Sequence, residues 1–114
     1  MAFTDAGKKF LMDLSLADGL YISCHLANGT ELSGNGYARK QVPTGSTVSA
    51  AGVISFTNLE LWTASTATAQ NPDQWAVYDH ETAGVQVLEP TDFTTDVAAP
   101  ANGQAIRLTA TITP

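Results

Sequence analysis

His25 and His80 are the two histidines of the chain, and Cys24 is its only cysteine. Nucleophilic chemistry needs a base within reach of a hydroxyl or thiol, so His25 beside Cys24 is the first pair to test. Apolar residues alternate through this stretch, which predicts a strand, and neighbours on a strand project to opposite faces. Cys24 and His25 therefore cannot form a dyad, and His25 reads as a packed or solvent-facing residue. His80 lies in Asp79-His80-Glu81, where carboxylate and imidazole both suit a hard or borderline cation. Only alternate members of that triplet share a face, and it opens an expected hairpin turn, so the expectation is a solvated turn and no bound metal. A single cysteine excludes an intramolecular disulfide and a cysteine-rich zinc site. Asp and Glu are scattered singly through turns and strand ends, whereas acid–base work needs two acids in one cleft. The residues predict no catalytic group and no cofactor.

The stretch Gly34-Asn35-Gly36-Tyr37-Ala38-Arg39-Lys40 invites a phosphate-loop reading. A phosphate loop requires a strand, the glycines and then a helix whose N-terminus faces the anion. Here the residues after the glycines alternate as a strand, and no helix follows. Arg39 and Lys40 face opposite ways and are too few for a nucleic-acid footprint. What remains is architectural: Gly34 and Gly36 permit positive-φ turns, Tyr37 packs a ring at the sheet margin, and Arg39 is available to a carboxylate of its own or a neighbouring subunit.

Composition agrees with a structural role. The 114 residues are 44% hydrophobic and only 14% charged, with a net charge of −6. That length predicts a single domain, 1–114, with a modest core. The acidic balance disfavours nucleic acid and anionic membrane as partners. The N-terminal stretch lacks the continuous apolar run of a signal peptide, and nothing approaches a membrane span, so the chain is expected to be made in the cytoplasm and to be soluble.

One helix and many short strands are expected to carry these residues. Phe3, Ala6, Phe10, Leu11 and Leu14 recur at three- and four-residue spacing and predict an amphipathic helix over about 4–17, capped by Thr4 and stopped by Gly19, within an N-terminal unit 1–19. From Leu20 the period is two, with Leu20, Ile22, Cys24 and Leu26 on one face and Tyr21, Ser23 and His25 on the other. "YARKQV" predicts a second strand, and Val48 to Leu61 one or two more. "WAVYDH" turns through "ETAG" into "VQVLE" as a hairpin that Pro90 ends. The 64–74 stretch reads as a small-residue loop, and Asn102-Gly103 as a turn before the last strand. There Ile106, Leu108, Ala110 and Ile112 point inward and Arg107, Thr109, Thr111 and Thr113 outward. The pattern predicts a mainly β fold, an antiparallel β-sandwich or jelly-roll-like barrel over 20–114 with one N-terminal helix. Leu20, Ile22, Ile54, Phe56, Val77, Ile106 and Leu108 carry its core.

In order, "FTDAGKKFLMDLSL", "LYISCHLANG", "GNGYARKQV", "GVISFTNLEL" and "WAVYDHETAG" resemble a family of small tailed-bacteriophage virion proteins often labelled tail fibre proteins. That family reads as an A-G-K helix, a "LYVSLHT"-like strand, a glycine-rich loop with "GYAR" and an "ITFP"-like strand. This chain departs from it in the shorter loop "LANGTELSG" and in Ile54-Ser55-Phe56-Thr57, which lacks the proline. The resemblance implies a non-enzymatic virion protein. A fibre needs repeats, a coiled coil or an intertwined β-helix for length, and the sequence has none. The expectation is therefore a capsid decoration (cement) protein on the outside of the major capsid lattice, homo-oligomeric, with a trimer at a threefold seam as the expected assembly. The alternative is a tail fibre or tail-associated module. The polar outward face Arg107, Thr109, Thr111 and Thr113, with the 64–74 loop, is the expected contact surface.

Overall fold

The computed structural model describes residues 2–33, 37–63, 72–93 and 105–114. Helix α1 spans Asp5–Asp18. Thr4 caps it, its Oγ1 accepting from the Gly7 N–H at 3.1 Å, and Gly19 ends it at φ 123°, its own N–H reaching the Ser15 carbonyl. The helix faces the other way from the sequence expectation. Met12 and Leu16 are its buried residues, and Leu20 continues the same four-residue spacing into the core. Phe3, Phe10, Leu11 and Leu14 point to solvent, with Phe10 62% exposed. The chain's direct passage from Leu16 through Gly19 and Leu20 into the first strand selects this face. The loop at Gly52 (φ 81°) reinforces it, because a Cβ there would stand 2.7 Å from the Lys8 carbonyl carbon.

Among the described residues seven strands follow: β1 Tyr21–His25, β2 Lys40–Gln41, β3 Thr47–Val48, β4 Ile54–Thr63, β5 Gln74–Tyr78, β6 Gln86–Asp92 and β7 Ala105–Ile112. They form two antiparallel sheets, β2-β1-β5-β6 and β3-β4-β7, which do not close into a barrel. Of the two expected forms, the open sandwich is the one adopted. The seven expected core residues, Leu20, Ile22, Ile54, Phe56, Val77, Ile106 and Leu108, are all buried in one cluster with Val42, Leu61, Trp62 and Trp75. β7 alternates as expected, its outward residues exposed. β4 holds two extra residues against it, between Phe56 and Leu59 and between Glu60 and Trp62.

Two strand boundaries differ from the sequence reading. β2 is only Lys40–Gln41, because Tyr37 and Arg39 are held by side-chain bonds instead of a ladder. β6 runs through Pro90 to Asp92, since it is an edge strand and proline's missing N–H costs nothing on the open side. No helix among the described residues is long and apolar enough to cross a membrane.

Candidate functional site

The polar chemistry of the chain converges where β1 meets the loop that follows it. After His25 the backbone turns tightly: the Leu26 N–H bonds the Thr30 carbonyl, Gly29 takes φ 89°, and Asn28 Oδ1 accepts from the Thr30 N–H. This turn returns Glu31 alongside His25. Glu31 then receives three bonds. Its Oε2 accepts from the Tyr37 hydroxyl at 2.6 Å and from Arg39 Nε at 2.9 Å, and its Oε1 accepts from Arg39 Nη2 at 2.9 Å.

Arg39 is the hub. Its guanidinium grips Glu31 with two nitrogens and donates through Nη1 to the His80 carbonyl at 3.0 Å and the Ala83 carbonyl at 2.7 Å. It lies over the Tyr78 ring, Cζ 3.7 Å from the centroid. The Tyr37 hydroxyl, besides donating to Glu31, accepts the Cys24 N–H at 3.0 Å, and its ring packs edge-on against Trp62. Arg39 thus ties the 26–39 loop to β5 and the β5–β6 turn, and Tyr37 ties the same loop to β1. Burial raises the Glu31 carboxyl, but the hydrogen bonds from Arg39 and Tyr37 and the nearby Arg39 charge outweigh it and hold the group below its ordinary value. The Glu31 bond and charge raise Arg39, and burial raises the Tyr37 hydroxyl.

A second pair lies beneath the clamp. Ser23 and His25, two residues apart on one face of β1, are 0% and 2% exposed. His25 Nδ1 stands 2.8 Å from the Gly29 carbonyl, which can only accept, so in the neutral ring Nδ1 carries the proton and Nε2 accepts from Ser23 Oγ at 2.7 Å. The ring stacks on Tyr78, centroids 6.4 Å apart. A serine hydroxyl donating to an oriented imidazole is the geometry of an activated nucleophile, yet both side chains are sealed from substrate. The sequence reading tested His25 against Cys24 and missed Ser23. The signal was present, because period two puts residues 23 and 25 on one face. Burial, with the Glu31 charge adding to it, pushes the Cys24 thiol up to about 12, which leaves it protonated and inert at neutral pH.

The other expected residues do not gather here. Gly34 and Gly36 lie outside the described residues, as do Asn102-Gly103 and positions 64–71 of the expected contact loop. Arg107 is exposed on β7 and reaches Glu60 at 3.4 Å, Thr109 Oγ1 accepts from the Asn58 N–H at 2.8 Å, and Thr111 and Thr113 are open to solvent. In the 79–84 turn, Asp79 Oδ1 is taken by the Val85 N–H at 2.7 Å. Among the described residues no three of His, Cys, Asp and Glu converge as a metal site. An open groove of about 360 Å³ borders the clamp, lined by Leu32, Tyr37, Ala38, Arg39 and Thr82 among others. Four of the five Arg39 donors are taken by Glu31 and two carbonyls.

Comparison of this chain with protein-family models, with curated proteins and with solved structures finds no match.

Proposed function

We propose that the chain is a non-enzymatic structural protein of a tailed-bacteriophage virion, a decoration protein that binds the outside of the major capsid lattice. The observation that carries this reading is where the chain spends its polar groups and where it leaves apolar ones. The "GYAR" residues Tyr37 and Arg39 are engaged by Glu31, Cys24 and two backbone carbonyls, with four of the five Arg39 N–H donors used inside the fold, which supports a fold-building role over ligand capture. The only serine–histidine pair among the described residues is sealed. By contrast, Phe10, Leu11 and Leu14 stand exposed along one side of α1, with Phe3 exposed just ahead of its cap, a grouping that soluble surfaces rarely leave without a use. A compact β domain with an apolar helical ridge suits attachment to a larger assembly. The sequence resemblance in the A-G-K helix and the "LYISCHL" and "GYAR" segments supplies the virion context.

Densitometry of purified virions against the major capsid protein tests the assignment. Copies on the order of hundreds per particle are expected for a lattice-bound protein. A count of about three to a few dozen moves the chain to the tail, and absence from virions overturns the reading.

A further inference from the structure

Every antiparallel sheet ends in two edges of unpaired N–H and C=O groups, and folded chains blunt them with short strands, proline, charges or bulges. The edges here are β2 and β6 of one sheet and β3 and β7 of the other. β2 and β3 are two residues each. β6 carries Glu89, Pro90 and Asp92 and breaks register twice against β5. β7 carries a single charge, Arg107, and none of the other devices. Ala105–Ile112 runs eight residues without proline, glycine, lysine or an acid, and both irregularities of its ladder place the extra residue in β4, so β7 itself is regular. Among the described residues nothing pairs with its outer edge.

We propose that this edge is an interface at which two copies of the chain pair β7 with β7, antiparallel about a twofold axis, joining their three-stranded sheets into one of six strands. The occupant follows from self-complementarity. With the axis at Thr109, Thr109 meets Thr109 and Arg107 meets Thr111 on the outer face, so no like charges oppose each other. On the inner face Ile106 meets Ile112 and Leu108 meets the smaller Ala110, so buried apolar positions meet apolar positions and the two cores run together. Moving the axis to Arg107 would set two arginines face to face. A foreign strand has to satisfy both faces independently, whereas a second copy does so by symmetry.

The contact is isologous and closes at two subunits, unlike the threefold arrangement expected from the sequence. Eight residues extend about 27 Å, and one such ladder falls short of the roughly 800 Å² per partner of a standard interface. The dimer is therefore weak in dilute solution and gains when copies are held close on a surface. None of this depends on the virion reading.

The test is sedimentation equilibrium of the full chain from about 10 μM to about 1 mM, a range that brackets weak self-association. A monomer–dimer equilibrium is expected. Thr111 is exposed and its neighbour on β4 is the exposed Ser55, so Thr111→Lys and Thr111→Glu both leave the monomer fold intact, which thermal melting of dilute samples checks. In the dimer, Thr111→Lys sets a like charge against Arg107 at two symmetric places and weakens association about tenfold, while Thr111→Glu strengthens it about tenfold. Overall charge acts in the opposite sense, since lysine takes the net −6 to −5 and glutamate takes it to −7. A chain monomeric throughout, a trimer, or a dimer whose affinity the two variants leave unchanged or move in the charge-repulsion direction overturns the proposal.

Discussion

Arg39→Ala removes four hydrogen bonds and a cation–ring contact in one step. The bonds share one group, so their separate values do not add. A better measure is the cost of breaking a buried ion pair from one side, about 3–5 kcal/mol, most of it from the charge left behind. The Arg39 side chain is 8% exposed but Glu31 is 27% exposed, so water reaches the orphaned carboxylate in part and the lower end applies, about 3 kcal/mol. Against the 5–15 kcal/mol typical of a whole domain, that corresponds to a fall in Tm of about 12 °C for a chain of this size. Arg39→Lys keeps the charge but not the planar fork, and about half the loss is expected. Urea unfolding of the wild type, Arg39→Ala, Glu31→Gln and the double variant gives the coupling directly, expected at about 1.5 kcal/mol or more. A loss under about 1 kcal/mol, the range of an exposed pair, or a coupling near zero would refute the clamp as a stabilising element.

Three further outcomes follow from the same geometry. The folded Glu31 carboxyl is held below its unfolded value of 4.5, so its contribution is complete above that pH and lost as pH falls through the folded value. The stability drop between neutral and strongly acid pH should be smaller in Glu31→Gln than in wild type, and equal drops would exclude Glu31 as a source. Cys24, buried with its thiol raised to about 12, should react with Ellman's reagent only as fast as the whole fold opens; rapid labelling without denaturant would contradict the packing of β1. Gly52→Ala and Gly29→Ala both place a side chain at positive φ, worth about 1–2 kcal/mol of strain, but only at position 52 does a Cβ meet backbone, at Lys8. Calorimetry should therefore show a clearly larger destabilisation for Gly52→Ala, and equal effects would remove the Gly52 contact as the helix anchor.

The sandwich was legible because β1 and β7 carry a period-two pattern, and the seven core residues read from the strands are all buried. The helix was legible in its limits, set by Thr4 and Gly19, and misread in its facing. Two apolar stripes compete on it, and the longer one, Phe3 to Leu14, lost to Met12 and Leu16, because the facing is decided by the chain's exit into β1 and by the distant Gly52. An arginine–carboxylate contact at Arg39 was legible from the scarcity of cations, but its partner was not. Glu31 reaches Arg39 only after the 26–30 turn, and the carbonyls of His80 and Ala83 only through the β1–β5 ladder. The full set of groups closing on Arg39 is thus a property of tertiary register, which local sequence does not encode.

The strand order also has a consequence for biosynthesis. β1 sits at the centre of its sheet, yet its main ladder partner is β5, where His25 meets Gln74, and β4 finds its own in β7, where Ile54 meets Ile112. A nascent chain emerging at about 5–20 residues per second exposes Ile22 and Cys24 for several seconds before Trp75 and Val77 are made. The β5–β6 hairpin, closing in about 1–10 μs, gives β1 a template the moment it appears, but the facing sheet has only the short β3–β4 pair as a local start. Trp62 and Leu61 wait, uncovered, until residues 105–112 leave the tunnel. Folding of this chain is therefore timed by synthesis of its last strand, and a ribosome stalled just before it would present the growing β4 ribbon to chaperones with both apolar face and open edge intact.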